Sequence, residues 1–414
     1  MDIKSKVSAF YVVIAFMFLL AGCKKVHEIS YVEDFNITQP EIIADFKEVH
    51  QIVKKNYSFF QHKGIDPDYL YSEFYSQIQS ARNGEEYIRL LLQYFSRLEN
   101  SHTNLVLRRY EINNFARLID DRLFLSYVGD ETFLHNGIQV KDEIVAVNQT
   151  PVMEWLNQES SFIGASTTVS SFESARINVF QSFFPGDRHY LISTDEGLKE
   201  ISVVFRRPER VTGASSSNTP RPLVDAGIIS DRIGYISIAA MQDRAQREFF
   251  DAFTQVKNKS YLIVDLRNNI GGNSPVSEKI ATHLLKHDHE ACVSKRTLSP
   301  GKDAYKGTLF LLIGGLTFSA AESFVIDLKE GAKAILVGKP TAGDTGSRPR
   351  FFKTNNNLRF RLATQQPYVS AGGFPMEGKS IEPHYYVEQS FDDFFHDRDT
   401  ALDFIIDMIE QGKY

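Results

Sequence analysis

Cysteine is almost missing from this chain: its 414 residues include two, Cys23 and Cys292. That scarcity excludes a framework of several disulfides. A basic excess is missing too, because Lys plus Arg number 46 against 52 Asp plus Glu. A nucleic-acid-binding surface is therefore not expected. The apolar run "AFYVVIAFMFLL" falls short of the roughly 20 residues that a membrane-spanning helix needs. The H-E-x-x-H arrangement of zinc enzymes is also absent. "THLLKHDHE" does carry His283, His287 and His289, the first two at a spacing that can bind zinc on a helix, yet a solvated helix end is the preferred reading. No metal or organic cofactor is expected.

What the N-terminus does contain is an ordered signal. "MDIKSK" is basic, the apolar run follows, and "LAGC" closes it at Leu20 to Cys23. Residues 1–22 read as a signal peptide. "LAGC" resembles the bacterial lipobox, which implies acylation of Cys23 and a mature chain that starts there. The expected location is the bacterial cell envelope, lipid-anchored in the outer membrane and facing the periplasm. Cys292 would then lack a partner and pack as a small buried hydrophobe.

A chain of this length is expected to form two or three domains. Residues 23–110 contain a polar tether and three segments with apolar residues three and four apart, which reads as a helical cap. Residues 111–208 show short β-prone runs, among them "NGIQVKDEIVAVNQTPVMEWL". This stretch resembles the second half of a PDZ domain, with Lys141-Asp142 and Asn148-Gln149 where that family has Gly-Asp and Asn-Gly. Residues 209–222 have the Ser, Pro and Gly content of a linker. From 223 to 414, apolar runs such as "RIGYISI", "SYLIVDLR" and "GTLFLLIGG" alternate with helix-period segments, which argues for an α/β core with parallel pairing.

Two loops at the ends of those runs carry candidate chemistry. "YLIVDLRNNIGGN" breaks into Gly271 and Gly272, whose backbone can approach a ligand and turn amides toward it. "GGLTFSAAESF" places Ser319 where a strand meets a helix. A serine there can simply cap the helix. The same join also offers a free amide at Ala320 and the positive end of a helix dipole.

Together, "DLRNNIGG" and "FSAAESF", about fifty residues apart, resemble the motifs of the C-terminal processing peptidase and tricorn superfamily of serine peptidases. "RIGYISI", "ILVGKPTAG", "EGKSIEPHYYV" and "DTALDFIIDMI" extend the resemblance. It implies a ClpP/crotonase-like α/β core with a PDZ-like β domain and an N-terminal helical cap. It further implies a Ser319 nucleophile, an oxyanion hole from Gly271, Gly272 and Ala320, and peptide or protein substrates. One branch of the superfamily takes its base from a lysine some 25 residues past the serine, where this chain has Asp344; Lys339 lies in a different segment. The tricorn-like branch uses a Ser-His pair and a late glutamate, and "NSHTNL" and "PMEGKSIEP" supply Ser101, His102 and Glu377. The resemblance therefore implies His102 as base, with Ser101 and Glu377 supporting it. "EPH" at Glu382 to His384 departs from the usual P-D ending. The rival expectation is a binding protein that keeps this scaffold without turnover.

Overall fold

Apolar residues at Ile42, Phe46, Val49 and Val53 recur on one helical face, and all four are buried in α1 (Gln39–Asn56). Thr38 starts this helix, its backbone amide donating to Glu41 Oε2 at 2.8 Å. Asp66 caps α2 (Pro67–Ile78) through the amides of Asp68 and Tyr69, and Asn83 caps α3 (Gly84–Ser96) through that of Glu86.

The computed structural model describes residues 29–208, 222–344 and 349–414. Cys23, the expected signal segment and all of the expected linker except Pro222 lie outside the described residues. The chain divides into two compact units, one holding residues 29–208 and 349–366, the other 222–344 and 367–414.

In the first unit the helices are followed by β1 (Asn104–Leu105) and an antiparallel sheet, ordered β2 (Asn114–Ile119), β3 (Arg122–Val128), β4 (Glu143–Val147), β5 (Gly186–Thr194) and β6 (Gly197–Phe205). Helices α4 (Val152–Ser161) and α5 (Thr168–Asn178) lie between β4 and β5 in sequence. Along β6, Ile201, Val203 and Phe205 are buried while Val204 is exposed, the alternation of a half-buried strand. At the two positions where the PDZ family has glycine, the backbone is left-handed without it, Lys141 with φ 79° and Gln149 with φ 65°, and Asn148 before it has φ 48°. Asn148 and Gln149 turn β4 back onto Thr150 and Pro151.

The described residues of the expected helical cap and of the expected β domain fall in one compact unit. The expectation of a single domain over residues 223–414 needs correction, because the hairpin of Pro349–Lys353 and Arg359–Ala363 belongs to the first unit, where Phe360 pairs with Leu105 and its ring lies 5.4 Å from that of Phe95. Leu358, Phe360 and Leu362 are fully buried in that unit's core. The hydrophobic effect thus assigns them there, at about 1.5–3 kcal/mol for each such side chain.

The second unit is built on one sheet whose spatial order follows the chain: β7 (Val224–Ile228), β8 (Ile233–Ile238), β9 (Tyr261–Asp265), β10 (Thr308–Ile313), β11 (Ile335–Gly338) and β12 (Tyr385–Tyr386). All neighbours from β8 onward are parallel, and β7 is antiparallel to β8. Crossovers use α6 (Asp243–Val256), α7 (Ser274–Ala281) and α8 (Ala320–Ala332), and α9 (Thr400–Glu410) follows β12. Both sheet faces are covered, which explains the continuous apolar runs. Leu262, Val264, Leu309 and Leu311 join the cluster with α6, α7 and α8, whereas Ile263, Phe310 and Leu312 join that with α9.

Candidate active site

Parallel strands place loops at their carboxyl ends, and in the second unit the loops after β9 and β10 meet there. Thr317 Oγ1 donates to Leu266 O at 2.9 Å, and the Phe318 amide donates to Asn269 O at 3.0 Å. Gly271, at φ +85°, lies so close that a Cβ on it would stand 2.5 Å from Phe318 O and 2.8 Å from Ser319 Cβ. Only glycine fits.

Ser319 precedes α8 with φ 58° and ψ −120°. An ordinary capping serine adopts extended backbone, so this conformation is strained in a way that capping does not require. Its amide is held by Glu322 Oε2 at 3.1 Å. Among the described residues, no acceptor takes the amides of Ala320 or Gly272. Gly271 differs from the expectation for an oxyanion donor, because its amide already donates to Asn269 Oδ1 at 2.9 Å. The Ala320 amide, next in the chain to Ser319, and the Gly272 amide, in the loop whose Gly271 packs on the Ser319 turn, therefore remain as candidates to meet a developing negative charge.

Glu322 is the residue whose role the sequence reading missed. It is buried one helical turn past Ser319, and it accepts from Thr341 Oγ1 and the Gly343 amide at 2.7 Å each and from the Asp344 amide at 3.1 Å. Burial pushes its carboxyl up to about 8, against the pull of those donors. Glutamate three residues after a serine at a helix start is a capping signal, and that signal was present in "SAAE". Through Gly343 and Asp344 the network reaches Glu377, which is buried, forms an antiparallel bridge with Asp344, and is followed by a Gly378 amide bonded to Gly343 O.

Asp265 and Arg267 of the first motif are a clamp. Arg267 Nη2 lies 2.6 Å from Asp265 Oδ2 and 2.7 Å from Asp399 Oδ2, and Asp399 Oδ1 also accepts the Leu402 amide at the start of α9. Tyr235 adds its hydroxyl to Asp265 at 2.8 Å. The paired charges fix the end of β9, from which the glycine loop departs.

Ser101 and His102 belong to the first unit, in the turn between α3 and β1. His102 is 5% exposed, and its amide donates to Asn100 Oδ1 at 3.0 Å. Ser101 Oγ lies 3.1 Å from Ser170 Oγ on α5, and its carbonyl accepts from Asn104 Nδ2 and Arg361 Nη2. The hairpin from late in the chain therefore holds this turn, a contact that sequence order did not suggest.

Other candidates resolve into ordinary roles. Lys339 Nζ pairs with Glu388 at 2.7 Å on the surface. His283 packs on the Phe250 ring at 4.6 Å, His289 Nε2 meets Asp327 at 3.1 Å, and His287 is exposed. Cys292 is fully buried, and burial pushes its thiol up to about 12.

Residues 232–387 match the family model for peptidase family S41, and residues 118–204 match that for the N-terminal domain of Bacteroidetes S41-family peptidases. The chain is 28% identical over 187 residues to the tricorn protease homolog of Saccharolobus solfataricus, covering 43% of this chain and 17% of that protein. It is 27% identical over 174 residues to the chloroplastic carboxyl-terminal-processing peptidase 1 of Arabidopsis thaliana, covering 39% of this chain and 34% of that one. The chain thus corresponds to a minor part of either relative's length. The crystal structure of mature CPAF shares the fold, with a TM-score of 0.70 at 15% identity over 90% of this chain and 96% of that one. Two matching models in chain order, one for the α/β unit and one for the preceding sheet, make this chain a member of peptidase family S41.

Proposed function

We propose that the protein is a serine peptidase that hydrolyses polypeptides or oligopeptides through an acyl-enzyme on Ser319. The observation that carries this reading is the strained backbone of Ser319, next in the chain to the Ala320 amide and packed against the glycine loop at Gly271. Strain of this kind costs about 1–3 kcal/mol and persists at functional turns such as the strand-to-helix elbow of a nucleophile.

In the proposed reaction, Ser319 Oγ attacks the scissile carbonyl carbon while His102 takes its proton. The tetrahedral oxyanion accepts from the Gly272 and Ala320 amides. Collapse expels the amine, which leaves with the proton from His102, and water then repeats the sequence on the ester. Assignment of His102 as base rests on the tricorn-like motif, with Asp344 standing where the other branch has lysine. Ser101 and Glu377 are proposed to orient this machinery. The sheet β2–β6 is proposed as a PDZ-like module that takes an extended peptide by strand addition. Anchoring through acylated Cys23 in the bacterial envelope is proposed from "LAGC" alone. No helix among the described residues is long and apolar enough to cross a membrane.

A fluorogenic peptide library with wild-type protein and Ser319→Ala tests the activity. Turnover abolished in the variant supports the reading. A folded wild-type protein that binds peptides without cleaving any supports the rival binding module instead.

A further inference from the structure

A cavity of about 650 Å3 opens in the second unit where α8 ends. Since α8 is 13 residues long, its far end lies about 20 Å from Ser319, outside the candidate active site. Ile326 and Ile335 contribute apolar walls, and the rings of Phe374, Tyr385 and Tyr414 surround them. The volume suits a small organic molecule.

Its polar groups have one sign in surplus. Lys329 and Lys333, one turn apart, both line the cavity, and neither forms an ion pair among the described residues. One acidic side chain, Glu330, stands at the wall and is held by the Ser370 hydroxyl and by the Gly372 amide at 3.0 Å, so the two lysines exceed it by one charge. His384 Nδ1 accepts the Leu336 amide at 2.9 Å, so the neutral ring carries its hydrogen on Nε2 as a further donor. Burial and the Lys329 charge both hold its pKa below the usual histidine value.

We propose that this cavity binds a small organic carboxylate with an aryl or alkyl body. The two lysines and His384 would meet the carboxylate, while the aromatic and isoleucine walls would take the body. Inorganic phosphate satisfies the charge but leaves those walls wet, and a neutral alcohol does the reverse, so both should bind more weakly.

Isothermal titration of the full chain with 4-phenylbutyrate, 4-phenylbutan-1-ol and inorganic phosphate tests the assignment without reference to turnover. One saturable site for 4-phenylbutyrate is expected, with the alcohol weaker by about 10-fold, the worth of two partly exposed ion pairs, and phosphate weaker by at least about 10-fold because it buries no aryl body. Lys329→Gln with Lys333→Gln should weaken 4-phenylbutyrate by about the same factor at unchanged melting temperature. Should the double variant fold poorly, Lys333→Gln at its exposed position is expected to give about a 3-fold loss. Equal binding of the alcohol, insensitivity to both lysine variants, or no saturable binding up to about 10 mM would overturn the proposal.

Discussion

Gly271→Ala separates a crowded active-site loop from a merely left-handed one. At φ +85° any L side chain is strained, by about 1–2 kcal/mol, partly offset by about 0.4–1 kcal/mol through a less flexible unfolded chain. Gly373, at φ +84° with nothing within 4 Å of its Cβ position, is the control for that effect alone. Gly271 adds three contacts at 2.5–2.8 Å, to Phe318 O, Ala320 N and Ser319 Cβ. Two of these are backbone atoms, so relief requires moving the Ser319 turn. Overpacking of this kind costs a further 1–3 kcal/mol or so, and a displacement of about 1 Å at a reacting group can lower turnover about 100-fold. Peptide turnover and thermal melting should therefore diverge: Gly373→Ala keeps wild-type turnover with a small loss of stability, whereas Gly271→Ala loses at least about 100-fold. Equal turnover in the two variants would refute the packing of the glycine loop on Ser319.

His102→Ala should lower turnover by about 100- to 10,000-fold with the fold intact, while Lys339→Ala, which loses only a surface pair, should stay near wild type; steady-state kinetics decide. Glu322→Ala leaves the amides of Ser319, Gly343 and Asp344 and the Thr341 hydroxyl without their acceptor, so urea unfolding should show a loss of at least about 3 kcal/mol together with turnover. With its thiol held near 12 and buried, native Cys292 should resist iodoacetamide at about pH 8 and react once unfolded, as peptide mapping would report.

The α/β unit was legible because its strands are buried on both faces, so "YLIVD" and "TLFLLI" stand out as unbroken apolar runs. Helices α1 to α3 were legible from the spacing of their apolar residues. The displaced hairpin was not, because "RFFKTNNNLRFRL" reads as a hairpin anywhere, and the core it joins is decided by Phe95 and Leu105, some 250 residues earlier. At the site, Ser319 and the two glycines were visible as a motif, but the use of each amide was not. Which N–H is engaged depends on where Asn269 and Glu322 point, and neither side chain's direction is written in local sequence. Ser170 was missed for the same reason, since a serine on a helix carries no signal of a partner 69 residues away.

Fluorophosphonate labelling with mapping of the adduct reads the nucleophilicity of the Ser319 hydroxyl without needing a known substrate. A single adduct is expected on Ser319, absent in Ser319→Ala and formed far more slowly in His102→Ala. A folded protein that takes no label, or an adduct on any other residue, would contradict it.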